Sequence, residues 1–200
     1  MSDSYLAKYT AEIRQLGNAY YQNPDDIELA VKYSSSLADS MNVLNNRIDS
    51  FIAPQHLLKS LTEVYYKHFN NEDVAVNYLS GISAPRYMNE GAVNKLRELV
   101  KQFPENDTAK VHCANGLAIF VKICVDRKDL DNAKRITGYL EEMHNRYPTN
   151  NSITHGYANA LFYTCTIQGY FEKRNTASKL KKLAEQYPNS KHIKYLCESF

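Results

Sequence analysis

The 200-residue chain contains no tryptophan and is sparing with chain breakers, having seven glycines and six prolines. So few breakers exclude an all-β domain, which needs many tight turns. They exclude collagen-like and mucin-like stalks as well. No apolar run approaches the roughly 18 residues that a bilayer crossing takes, so no membrane partner is expected. The opening segment MSDSYLAKYT has no basic stretch leading into an apolar one, and it reads as lacking a secretory leader. Charge of one sign is missing too. The 24 Lys and Arg against 22 Asp and Glu leave +2, too little to argue for a nucleic-acid partner. With 44% apolar and 23% charged residues, the composition is that of a packed chain and excludes disorder.

The four cysteines, Cys113, Cys124, Cys165 and Cys197, form no CxxC pair and no regular framework. They read as reduced thiols of a cytoplasmic protein. The histidines at 56, 68, 112, 144, 155 and 192 give no HExxH and no Cys/His zinc spacing, so neither metal nor cofactor is expected. His112 and Cys113 are neighbours, and on a helix neighbours diverge by about 100°, which rules out a nucleophile–base pair. There is no GxSxG, phosphate-binding loop or GxGxxG, and the adjacent carboxylates Asp25-Asp26 and Glu141-Glu142 fit capping or solvated positions. Cys197-Glu198-Ser199-Phe200 lacks the aliphatic pair of a prenylation signal. Nothing in the chain suggests an enzyme.

What is present is internal repetition. An aromatic, a proline and a polar pair recur as Phe103-Pro104-Glu105-Asn106, Tyr147-Pro148-Thr149-Asn150 and Tyr187-Pro188-Asn189-Ser190. Phe69-Asn70-Asn71 and Tyr21-Gln22-Asn23-Pro24 are looser copies. Anchored on Pro24, Asn70, Pro104, Pro148 and Pro188, the spacings are 46, 34, 44 and 40. Ten residues after Pro104 stands Ala114-Asn115-Gly116-Leu117, and ten after Pro148 stands Ala158-Asn159-Ala160-Leu161.

Each interval holds two helices. Before Pro148, the residues Leu130, Ala133, Ile136, Leu140, Met143 and Tyr147 fall in steps of three and four on one face, and Ala177, Leu180, Ala184 and Tyr187 do so before Pro188. Proline stops a helix through the residue before it and suits the first turn of the next. The segments after the anchors, CANGLAIFVKICV from Cys113 and GYANALFYTCTIQGYF from Gly156, are apolar nearly all round, as in helices sandwiched between neighbours. Polar turns are expected at Asp126–Asp129, with Asp129 as N-cap, and at Glu172–Asn175. Helices are predicted near 4–22, 25–45, 54–69, 72–84, 88–103, 106–125, 129–147, 150–171, 174–187 and 190–200. The fold class is all-α, a helix-turn-helix repeat solenoid of roughly four αα-hairpins. They span 24–69, 70–103, 104–147 and 148–187, with flanking helices at 1–23 and 188–200 in a single domain.

These residues resemble tetratricopeptide repeats over about 24–200. Cys113-Ala114-Asn115-Gly116-Leu117 and Tyr157-Ala158-Asn159-Ala160-Leu161 are similar to the first-helix signature. Pro104, Pro148 and Pro188 are similar to the closing proline, and Ala133 and Ala177 to the small second-helix residue. Intervals of 44 and 40 exceed that family's 34, so the helices are longer, and HEAT-like stacking is the nearest structural alternative. Leu16-Gly17-Asn18-Ala19-Tyr20 also fits the signature, but Pro24 follows too soon for a second helix, so it reads as a coincidence within a terminal helix.

The resemblance implies a concave groove lined by first helices, binding a partner protein or peptide. Carried over, the groove residues are Val111, Asn115, His155, Asn159 and Tyr163. An Asn amide donates and accepts, so it can clamp a partner's backbone or, equally, bond a neighbouring helix. No basic pair accompanies these Asn residues, which argues against recognition of a terminal carboxylate there. Of the 16 tyrosines, Tyr147 and Tyr187 are expected in the core, while Tyr157 and Tyr163 suit either core or groove. The expected function is a non-enzymatic adaptor, chaperone-like factor or inhibitor- or immunity-type partner. Residues 171–200 carry seven basic against three acidic side chains, so the alternative is nucleic-acid binding through basic C-terminal helices. The 190–200 helix would expose Ile193, Leu196 and Phe200, a homodimer surface.

Overall fold

The computed structural model describes residues 3–44 and 54–199. Among these there is no strand, only ten α-helices and one 3₁₀ turn, Pro85–Tyr87. The helices are α1 Asp3–Gln22, α2 Ile27–Leu44, α3 Pro54–Lys67, α4 Glu72–Ile82 and α5 Glu90–Gln102, then α6 Asp107–Asp126, α7 Leu130–Arg146, α8 Asn151–Ile167, α9 Tyr170–Gln186 and α10 Lys191–Glu198. The chain divides into two compact units, Met1–Tyr87 with Glu98–Ala109, and Met88–Arg97 with Lys110–Phe200.

One local device recurs five times. The N–H of Asp26, Asn71, Asn106, Asn150 and Ser190 donates to the carbonyl three residues back, on Asn23, His68, Phe103, Tyr147 and Tyr187, at 2.8–3.2 Å. The same five side chains then cap the next helix, accepting the N–H of Leu29, Val74, Ala109, Ile153 and Ile193. A helix start leaves its first N–H groups unpaired, and Asp, Asn and Ser have a short acceptor that reaches them. The caps at 26, 71, 106, 150 and 190 are spaced 45, 35, 44 and 40, close to the spacings of the proline anchors. Asp129 caps α7 in the same way through Asn132 N–H, after a turn in which Lys128 holds φ 60°. Asn150→Ala is expected to lower stability by about 1 kcal/mol in urea unfolding, and Asn150→Asp to leave it nearly unchanged.

In the first unit α2 packs against α1, α3 and α4. Leu37, Met41, Leu61, Val64, Val74 and Leu79 are all but fully buried there. Consecutive turns are tied by side chains: His68 Nε2 donates to Pro24 O at 3.0 Å, and Gln102 Nε2 to Phe69 O at 3.0 Å. In the second unit α8 packs against α7, α9 and α10 around Leu140, Ile153, Leu161 and Leu180. Two buried polar pairs sit within it, Thr137 Oγ1 with Thr164 Oγ1 at 2.9 Å and His144 Nδ1 with Thr154 Oγ1 at 3.1 Å, while the buried Gln168 Oε1 has no hydrogen-bond partner among the described residues. Buried Lys110 sets its ammonium 4.5 Å from the Tyr147 ring centroid, a cation over a π face. Lys134–Glu172 and Lys179–Glu141 join α7 to α9.

The structure corrects four expectations. The turn expected at Glu172–Asn175 lies at Gln168–Gly169, whose extended backbone (ψ 150° and 164°) ends α8 and starts α9. Glu172 sits instead in the first turn of α9, where an acid complements the helix dipole. Tyr147 and Tyr187 are half-buried rather than core, because the Tyr187 hydroxyl reaches out to donate to Pro148 O at 2.7 Å. Ile193 and Leu196 are buried against the helices beside α10, which leaves Tyr195 as its exposed apolar side chain; Phe200 lies outside the described residues. Finally, α6 does have the length and apolar composition of a bilayer-crossing segment, with 56% of that stretch buried inside the protein.

Candidate functional site

The caps set a common register for α6, α8 and α10. Five residues after the cap come Val111, His155 and Tyr195; nine after it come Asn115 and Asn159; thirteen after it come Ile119 and Tyr163. Steps of four keep a stripe on one side of a helix. All five residues singled out from the sequence therefore share one stripe on two helices. α6 and α8 cross closely at Gly156, where a Cβ would stand 3.2 Å from the Ala114 carbonyl oxygen.

Within the stripe the residues differ. Asn115 is exposed, and among the described residues its amide has no hydrogen-bond partner. Asn159 is half-buried and engaged, its Oδ1 2.9 Å from His192 Nε2 of α10. An amide oxygen only accepts, so His192 carries a proton on Nε2. His155 Nε2 lies 3.1 Å from Ser190 Oγ, the α10 cap, and its ring meets that of His192 edge-on with centroids 5.1 Å apart. Burial pushes the His155 pKa down, and the neighbouring His192 pushes it further. Val111 is half-buried. Tyr163 is half-buried too, its ring edge-on to Phe162 at 5.9 Å.

His192 and Ser190 belong to this cluster, and sequence reasoning missed both. The available signal was the cap register, which puts α10 in line with α6 and α8 even though the helix is short and polar. Of the two equivalent asparagines, one clamps a neighbouring helix and one is open, a distinction that only the packing of α10 creates.

The chemistry offered here is recognition by amide, hydroxyl, imidazole and aromatic groups. Among the described residues no three His, Cys, Asp or Glu converge to hold a metal ion. Burial drives the Cys113 thiol up to about 12 and raises Cys124 and Cys165 as well, the opposite of what an activated nucleophile requires. No family model matches the chain, and no curated protein or solved structure matches it either.

Proposed function

We propose that this chain is a non-enzymatic protein-binding module, a tetratricopeptide-like array whose α6–α8 stripe receives a segment of a partner polypeptide. The observation that carries the reading is the fivefold turn-and-cap unit, which sets Val111, Asn115, His155, Asn159 and Tyr163 in one register. Such stripes of amide and aromatic groups supply adaptable hydrogen bonds and rigid contact area. Asn115 makes the contact, while Asn159 and His155 hold α10 against α8. Replacing Asn159 would therefore disturb the scaffold, and the test must use Asn115. A photo-crosslinking residue at 115 in the full chain is expected to capture one defined polypeptide, and the same residue at the exposed Glu142 of α7 is not. The wild-type chain should compete for that polypeptide, and Asn115→Ala should compete poorly. Equal capture from 115 and 142 would overturn the groove assignment.

A second reading rests on α9. Tyr170 and Phe171 are 77% and 86% exposed at its start, Arg174 is exposed one turn on, and Lys181 and Lys182 are exposed further along the same helix. Aromatic faces beside cations can stack single-stranded nucleic acid. Lys179 is drawn out of that stretch by two hydrogen bonds to Glu141. Binding of this kind should fall steeply with added salt, and a flat salt response removes it.

A further inference from the structure

A cleft of about 500 Å³ opens between α1, α2 and α3, within the first unit. Three helix faces converge on it: Ile13, Arg14, Gly17, Asn18 and Tyr21 of α1, Tyr33 and Leu37 of α2, and His56, Leu57 and Ser60 of α3. The spacings within each set are those of a single helix face. The walls are apolar, being Ile13, Leu37 and Leu57 with the rings of Tyr21 and Tyr33, which meet edge-on at 6.1 Å. The volume falls within the range of small-molecule sites, which combine such walls with a few convergent polar groups.

The polar groups can all donate to a negative head. Arg14 supplies a cation, His56 a ring N–H, Asn18 an amide and Tyr33 a hydroxyl, and no acidic residue lines the cleft. Among the described residues Arg14 has no carboxylate partner and the Tyr33 hydroxyl no hydrogen bond. By contrast Tyr21 is spoken for, donating to Glu63 Oε2 at 3.0 Å. Residue 17 of the lining is glycine, and a Cβ there would stand 3.0 Å from Tyr33 Oη and 3.1 Å from its Cζ. The Leu16-Gly17-Asn18-Ala19-Tyr20 motif, which the turn-and-cap unit leaves unused, thus supplies both the glycine and the amide of the lining.

We infer that the cleft binds an amphiphilic carboxylate, its apolar body between Tyr21, Tyr33 and Leu37 and its head at Arg14 and His56. A charged hydrogen bond from a guanidinium to a carboxylate is the strongest contact such a site can make. The same chemistry could arrive as a free acid or as the carboxyl end of a polypeptide with an apolar last residue.

The test is calorimetric titration of the full chain with octanoate, 1-octanol and acetate, beside a phenylalanine-ended tripeptide with its carboxylate free or amidated. Octanoate or the free-carboxylate tripeptide should bind one to one, and octanol, acetate and the amidated peptide should bind much more weakly. The tighter of the two carboxylates names the source. Arg14 is exposed, so Arg14→Gln should fold normally and weaken the carboxylate by about tenfold, which is ~1.4 kcal/mol, with octanol unaffected. Gly17→Ala, which forces the Tyr33 ring to shift, should weaken every ligand that binds. No saturable binding, binding of octanol as tight as octanoate, or indifference to Arg14→Gln would overturn the assignment.

Discussion

Gly156→Val is expected to destabilise the second unit by about 2–3 kcal/mol, whereas Gly138→Ala stabilises it by about 1 kcal/mol. Both glycines lie inside helices, where glycine costs conformational entropy relative to alanine. At Gly156 that cost is accepted for a contact. A Cβ would meet the Ala114 carbonyl oxygen at 3.2 Å and its carbonyl carbon at 3.5 Å, and both belong to the backbone of α6, which has no rotamer to yield. Valine adds two more methyl groups at that crossing, so α6 and α8 must separate and open the core around Leu117, Ile153 and Leu161. At Gly138 nothing lies within 4 Å of the position a Cβ would take, so only the propensity gain remains. Urea unfolding of the two variants, followed by circular dichroism, reads the opposite signs directly. A neutral Gly156→Val would mean that α6 and α8 do not cross so tightly.

Acid should destabilise the second unit before carboxylates titrate. His112, His144 and His155 all lie in it, and each has its pKa lowered from the ordinary 6.5, by burial above all. Glu141 partly offsets the effect at His144, and His192 reinforces it at His155. A histidine with a lowered folded-state pKa binds its proton more readily in the unfolded chain, so stability rises with pH. The full contribution is present above about 6.5 and is lost as pH falls through 6.5 toward the folded-state values, with a slope of at most ~1.4 kcal/mol per pH unit for each histidine. Melting temperature is therefore expected to fall from pH 7.5 to 5.5, with tertiary contacts between α8 and α10 among those lost. His144→Gln, which keeps a polar partner for Thr154 but does not titrate, should flatten the slope. A melting temperature independent of pH over that interval would contradict the neutral, buried state of these rings.

The helices were legible because their boundaries are written in local chemistry. Proline after an aromatic, and an Asn or Ser two residues later, act over four residues and need no tertiary partner, so the turns at Pro104, Pro148 and Pro188 could be read directly. Asp129 as a cap was legible for the same reason. The break at Gln168–Gly169 was not, because the apolar run continues through it into Tyr170 and Phe171, and periodicity cannot separate a long buried helix from two abutting ones. Tyr187 reads as core because it falls on the apolar face with Leu180; its hydroxyl, which donates to the Pro148 carbonyl, leaves it half-buried. The sharing of one stripe by Asn115 and Asn159 followed from their equal offsets, but the pairing of Asn159 with His192 depends on where α10 comes to rest. The cleft of the first unit lay beyond reach of the sequence altogether, since three helix faces meet there only once the chain has folded.

Many of the ties between helices have similar reach along the chain. His68 to Pro24, Asn77 to Ser34, Gln102 to Phe69, Thr137 to Thr164, Tyr187 to Pro148 and His192 to Asn159 join residues 27 to 44 positions apart. Each such contact closes a loop of modest length, and loop closure of that size costs little chain entropy. Folding governed by near neighbours is fast, and it does not wait for the far end of the chain. During synthesis each helix pair can therefore find its partners soon after the following helix has left the ribosome. The chain would consolidate from its N-terminus onward, with α10 closing the second unit last.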